Sequence, residues 1–292
     1  MTYSQFTSKL ESNIYFSYLK QLRIRSNKEI LYYKRLKELQ KIMRNDSLKT
    51  FFQPILHIKS GETIGFEVLN RPVATNLFPD TESFYEFVGQ TNQVFSFECF
   101  CRNISLQRYI ERVKGNFQEK NTLLFINIHP HVLLDPNYHS GETRQLLSNL
   151  GIEPKQVVFE LTERSTVTDF NMFEKVLSNY RLQGFRIAID DVGSGYNSLK
   201  TLVYLKPEFI KLDKALIQNI DKNIEQQQLV KLIIEYAKQS STEIIAEGIE
   251  RTEDLAFIHK LGVHYGQGFV LGKPQEAIRP GSIPKFSFNH TN

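Results

Sequence analysis

Short apolar runs that end in polar residues recur along this chain from Phe51 onward. Phe51-Phe-Gln-Pro-Ile-Leu-His-Ile58 and Thr63-Ile-Gly-Phe-Glu-Val-Leu69 are separated only by a turn at Gly61, so they read as an antiparallel hairpin. Leu123–His129, Gln156–Thr162, Arg186 through Ile189, Glu208–Asp213, Glu243–Glu247 and Tyr265–Leu271 continue the series. Residues 80 to 115 read as helical. From the third strand onward the intervals run roughly 20 to 36 residues, each with room for a crossover helix. This alternation predicts an α/β fold, a (β/α)8 TIM-like barrel whose first strand pair is antiparallel.

Residues 1–46 break the pattern, with no Pro or Gly and an excess of Lys and Arg over acids. Tyr32, Leu36, Leu39 and Met43 line one helical face. The segment reads as an N-terminal helical extension of one or two helices, with a dimerisation or partner-docking arm as the alternative and a membrane-surface helix third. The barrel is expected over 47–275, followed by a loosely ordered tail, 276–292, that contains Pro280 and Pro284.

Composition changes this picture little. A chain of 292 residues with 41% hydrophobic and 23% charged residues is ordinary for a globular domain. The formal charge of +4 is mild and no basic stripe calls for DNA or RNA. Cys99 and Cys101 lack metal-type spacing and read as reduced helix residues. No run approaches the roughly 18 apolar residues of a membrane span, and the polar start does not read as a signal peptide. A cytoplasmic protein is expected.

The chemistry gathers at the strand ends. Asp190 and Asp191 follow Ile187-Ala-Ile189 and precede Gly193-Ser-Gly195. Neighbours on a strand point to opposite faces, so both carboxylates reach one site only if the strand ends there. Two carboxylates about 4 Å apart repel by about 4 kcal/mol at an effective dielectric of about 20, a cost a cation offsets. The pair reads either as a metal site or as a capping Asp-Asp before a loop. Glu67, Asn127, Glu160, Lys211, Glu247 and Gln267 also fall late in their strands, and in such a barrel these ends converge on one mouth. Carboxylates without His or Cys favour Mg2+ or Mn2+ over Zn2+. A carboxylate cage with two divalent ions suits phosphodiester cleavage.

Glu67-Val-Leu-Asn-Arg71 resembles the Glu-Ala-Leu-x-Arg signature of EAL-domain cyclic-di-GMP phosphodiesterases, with Val68 for the usual Ala. The resemblance continues through Asn127, Glu160-Leu-Thr-Glu163, Asp190-Asp-Val-Gly-Ser-Gly195, Lys211-Leu-Asp213, Glu247-Gly-Ile-Glu250 and Gln267-Gly268, over about residues 50 to 275. It implies hydrolysis of cyclic di-GMP to linear pGpG. By resemblance Glu67, Asn127, Glu160 and Asp190 hold one metal, and Asp191 serves a second. Lys211 holds the attacking water, and Glu247 binds metal or acts as base. Glu250 braces the loop after the fifth strand, and Gln267 contacts the water network. Arg71 suits a substrate phosphate, while Gln53, Leu69 and Pro274 line the nucleotide pocket. A homodimer through roughly Tyr196 to Tyr204 and the following helix is also implied.

The departures are mild. Val192 stands for Phe, Ser194 for Thr, and Phe97-Glu98 for Leu-Asp. His129 stands for Ser, either as a donor behind Asn127 or as a solvent-facing loop residue. No acid of the set is missing, which favours an active enzyme. The alternatives are a catalytically inactive cyclic-di-GMP receptor or interaction scaffold on the same barrel and, remotely, a Schiff-base aldolase using Lys211.

Overall fold

The computed structural model describes residues 3–44, 47–113, 122–129, 132, 141–162, 170–194 and 198–284. They fall into two compact units: the chain as far as Leu48 with Pro72–Gln90, and Lys49–Arg71 with everything from Thr91 onward.

In the first unit, α1 (Tyr3–Arg44) is one uninterrupted helix of 42 residues, about 63 Å long. Nothing in it breaks the backbone ladder, because Pro and Gly are absent. Leu39 and Ile42 are buried, and Tyr32 meets Phe87 with ring centroids 5.4 Å apart. Phe87 lies on α2 (Thr81–Gly89), whose start is capped by Asp80 accepting from the Ser83 N–H at 2.7 Å. Arg35 stacks over Phe78 and Phe87 at 5.5 and 5.8 Å.

The second unit holds the barrel. Its strands β1 (Leu48–His57), β2 (Thr63–Pro72), β3 (Leu123–Asn127), β4 (Val157–Thr162), β5 (Arg186–Val192), β6 (Phe209–Leu212), β7 (Glu243–Ala246) and β8 (Tyr265–Gly266) close in sequence order. From β2 to β8 the pairs are parallel, while β1 runs antiparallel to its neighbours, pairing Leu56 with Gly266. The helices are α3 (Val94–Val113), α4 (Glu142–Leu150), α5 (Phe170–Leu182), α6 (Ser198–Leu205), α7 (Lys214–Ile217), α8 (Ile224–Ser240) and α9 (Thr252–Leu261). Inside, Ile55, Leu123, Phe125, Val158, Ala188, Phe209 and Ile245 form one apolar cluster, with Ile64 and Tyr265 against it. Every strand thus contributes to the plug that makes the barrel a packed core rather than a pore.

Four local features differ from expectation. The helical stretch 80–115 is two helices, because the Gln90 N–H closes α2 on Phe87 and the Thr91 hydroxyl accepts from Gln93 before α3 begins. The eighth strand does not run to Leu271. After Gln267 the chain turns, and the N–H groups of Leu271 and Gly272 both bond to the Gly268 carbonyl. Gly268 presses against the Ile249 backbone so closely that a Cβ there would overlap it. The fifth strand does not end at its aspartates but pairs on through Val192 with Leu212, across an irregularity after Ile189. The tail is held as far as Ser282: Gln275 exchanges backbone bonds with Phe52, Gly281 donates to Thr63 Oγ1 at 3.0 Å, and Ser282 to the Leu271 carbonyl at 2.9 Å.

Candidate functional site

Strand period places the site. Side chains two residues apart share a face, and most polar candidates stand two residues beyond an interior apolar residue on the same strand. Asn127 follows Phe125, Glu160 follows Val158, and Asp190 follows Ala188. Lys211 follows Phe209, Glu247 follows Ile245, and Gln267 follows Tyr265. Because β1 is antiparallel, its contribution comes two residues before Ile55, at Gln53. The apolar plug is therefore a floor, and the polar residues are the layer above it at the C-terminal mouth.

Lys211 is the centre of that layer. It is 0% exposed, with Nζ 2.6 Å from Glu160, 2.7 Å from Glu247, 3.4 Å from Asp190 and 3.7 Å from Glu67. Burial alone would lower its pKa, but the Asp190, Glu160, Glu247 and Glu67 carboxylates override burial and raise it well above the usual lysine range. Burial pushes the Glu160 carboxyl well up, opposed by Lys211 and reinforced by Glu67 and Asp190. Burial does the same to Glu247, with Asp190 adding to it. Glu67 is aimed by two amides: Asn127 Nδ2 donates to its Oε1 at 3.3 Å and Gln267 Nε2 to its Oε2.

Asp190 and Asp191 reach the same space by backbone means. Asp191 has φ 58, in the left-handed region, and its N–H bonds its neighbour's carboxylate, Asp190 Oδ1, at 2.9 Å. That local bond steadies a conformation a non-glycine residue otherwise resists. The result is a bulge that lets consecutive carboxylates share one side. Gly193 follows with φ 102, and a Cβ there would overlap the Leu216 side chain.

Two overlapping carboxylate triplets result: Glu67, Glu160 and Asp190, and then Asp190, Asp191 and Glu247. In each, one oxygen per residue lies within 4.8 Å of the others, and Asp190 belongs to both. Neither buried Glu160 oxygen has an aligned hydrogen-bond donor, and Gln267 Oε1 also lacks one. Unsatisfied buried oxygens among hard donors fit a divalent cation.

The remaining candidates are spread around the mouth. Gln53 is buried and donates to the Gly272 carbonyl at 3.1 Å, next to half-buried Pro274. Leu69 is half-buried, and exposed Arg71 lies over Phe51 at 5.3 Å. Glu250 is exposed. The loop residues 195–197 that it was expected to brace, including Gly195 and Tyr196, lie outside the described residues, as does Glu163. Asp213 caps α7, accepting from the Ala215 N–H at 2.7 Å. His129 donates its backbone N–H to buried Glu98 at 3.1 Å.

Sequence reasoning passed over Arg251, whose Nη1 bonds Asn219 at 2.8 Å, Asp221 at 2.9 Å and Asp254 at 3.3 Å, anchoring the segment that leaves Glu247. A lone Arg beside Glu250 carried no signal of Asn219 and Asp221, which lie 32 and 30 residues away at one turn. Among the described residues no helix is long and apolar enough to cross a membrane.

Several known proteins resemble this chain. The probable cyclic di-GMP phosphodiesterase PdeB of Escherichia coli is 29% identical over 80% of this chain and 44% of its own length. The cyclic di-GMP phosphodiesterase PdeR of the same organism is 28% identical over 82% of this chain and 36% of its own. The chain thus spans less than half the length of these curated relatives. A standalone EAL protein from Vibrio cholerae, solved with c-di-GMP bound, superposes with a TM-score of 0.68 at 27% identity, covering 80% of this chain and 95% of that one. Klebsiella pneumoniae BlrP1, solved with calcium and c-di-GMP, gives 0.69 at 26% identity, covering 81% and 58%. With residues 36–274 matching the EAL domain, and with the acids of that motif gathered around Lys211, the chain belongs to the EAL family of cyclic-di-GMP phosphodiesterases.

Proposed function

We propose that this chain is a divalent-cation-dependent hydrolase that opens cyclic di-GMP to linear pGpG. The observation that carries the reading is the pair of carboxylate triplets joined at Asp190, beside a buried ammonium within 3.7 Å of four of those acids. Glu67, Glu160 and Asp190, with Asn127, would hold one Mg2+ or Mn2+, and Asp191 with Glu247 and Asp190 a second. Bound there, the ions supply an acidified water and charge stabilisation at the leaving oxygen.

The chain's own groups do the rest. Lys211, held as an ammonium by its acids, donates to the attacking water and fixes its direction. Glu247 is the proton acceptor beside it, and Gln267 and Asn127 keep Glu67 from swinging. Arg71 takes a substrate phosphate, while Gln53, Leu69 and Pro274 wall the nucleotide. Glu250 supports the loop after β5. The water oxygen bonds to phosphorus, the P–O3′ bond breaks, and the water's proton ends on the released 3′-oxygen. A charged Lys211 is a poor nucleophile, which counts against Schiff-base chemistry. A nucleotide messenger as substrate goes with a cytoplasmic location. Exposed Val203 and Tyr204 belong to the face through which a homodimer would form.

Purified protein, cyclic di-GMP and Mg2+ or Mn2+, with products separated by chromatography, test the reading. Formation of pGpG that disappears in Glu67→Ala supports it. Nucleotide binding without product would make the chain a receptor.

A further inference from the structure

The end of β2 is tethered from outside the barrel by a chain of side-chain hydrogen bonds. Arg108 Nη1 donates to Thr50 Oγ1 at 2.8 Å, and Thr50 Oγ1 donates to Asn70 Oδ1 at 2.8 Å. Asn70 Nδ2 then donates to Ser105 Oγ at 2.9 Å. Thr50 and Ser105 are buried. Thr50 lies on β1, Asn70 on β2, and Ser105 and Arg108, three apart on one helical face, on α3.

The placement matters because β2 outruns its partner. Its last pairing with β3 is Val68 with Ile126, so Leu69, Asn70 and Arg71 extend beyond any β3 neighbour. By strand alternation Glu67, Leu69 and Arg71 share the face toward the mouth, and Asn70 points the other way, to α3. One side of this extension carries the residues assigned to the nucleotide, and the other carries the bond that holds it still.

Resting on the function proposed above, we infer that Asn70 is a positioning residue for substrate. Through Thr50, Ser105 and Arg108 it fixes Leu69 and Arg71 for the nucleotide, without taking part in cation binding. Loss of one such hydrogen bond is worth about tenfold in affinity.

The test measures cyclic di-GMP binding by calorimetry with Ca2+ as cation, Mn2+ binding separately, and steady-state kinetics with Mn2+. Asn70→Ala should weaken nucleotide binding and raise KM about tenfold, with kcat and Mn2+ affinity as in wild type. Ser105→Ala should do the same to a smaller extent, and Ser105→Thr, which keeps the hydroxyl, should restore binding. Wild-type nucleotide affinity in Asn70→Ala overturns the inference. So does a parallel loss of Mn2+ affinity, which would mean a general structural defect. If Asn70→Ala does not fold, Ser105→Ala and Ser105→Thr decide by the same criteria. If wild type itself binds no cyclic di-GMP, the proposed function falls. Hydrogen exchange at residues 69–71 then decides the tether, and unchanged exchange in the Asn70 variant overturns it.

Discussion

The two ends of the barrel handle charge in opposite ways. At the N-terminal end Glu208 and Glu243 are each matched locally. Arg181 Nε bonds Glu208 at 3.0 Å while its Nη2 serves the carbonyls of Leu205 and Lys206. Glu208 also accepts the Ile187 N–H at 2.9 Å, and Tyr265 donates to Glu243 at 3.0 Å. At the C-terminal mouth one ammonium serves four carboxylates, and both Glu160 oxygens go without an aligned donor. The strands are the same, and the two sets of groups lie at their opposite ends, with the apolar floor between them. The Arg181–Glu208 and Tyr265–Glu243 groups are satisfied as folded. The mouth is left with acceptor capacity that a cation and substrate can use, the pattern expected where local stability gives way to function.

Removing the hub should have the largest effect. Lys211→Met is expected to cut turnover by about 10³-fold and to lower the melting temperature of cation-free protein, with Mn2+ recovering part of that loss. A variant as stable as wild type without cation would show that Lys211 does not hold the acids together. The next contrast sets Arg181→Met against Glu160→Gln in denaturant unfolding without cation. The arginine change should cost about 2 kcal/mol. The glutamine change should cost little, because burial already disfavours the Glu160 charge, yet it should sharply weaken Mn2+ binding by calorimetry. Equal destabilisation of the two variants would break the distinction between the ends.

The smallest effect concerns Tyr265. Tyr265→Phe should lose about 1 kcal/mol with turnover unchanged. Burial, and then Glu243, push the Tyr265 hydroxyl up to about 12, above its unfolded value near 10. The protonated form is therefore favoured by folding. Its contribution is full below about pH 10 and is lost as pH rises toward 12. Alkaline unfolding of the phenylalanine variant should show a shallower dependence across that window.

Much of the barrel was legible because fully buried strands leave apolar runs of strand length, as in Ile187-Ala-Ile189 and Val157-Val-Phe159. The polar layer was legible as residue types at strand ends. Three things were not. Tyr265-Gly-Gln-Gly-Phe-Val-Leu271 has the composition of a strand, but the close approach of Gly268 to Ile249 turns it. Asp190 and Asp191 promised a strand ending, whereas a left-handed residue inside the strand achieves the convergence. Lys211 reads in sequence as one more polar residue, and its contact with four acids comes from register between strands far apart in the chain.

The irregularity in β5 also has a bearing on how the chain tolerates insertions and deletions. An extra residue in one strand resets the odd–even count for everything after it. Upstream, Ala188 and Asp190 share the interior phase, and beyond Asp191 the strand resumes pairing at Val192 with Leu212. Between the pairs Ile189–Ile210 and Val192–Leu212, two β5 residues stand against Lys211 alone, so deleting Asp191 would restore plain alternation, leave Val192 opposite Leu212 and cost the mouth one carboxylate. The extra residue thus adds a carboxylate to the mouth while the strand beyond it keeps its outward phase.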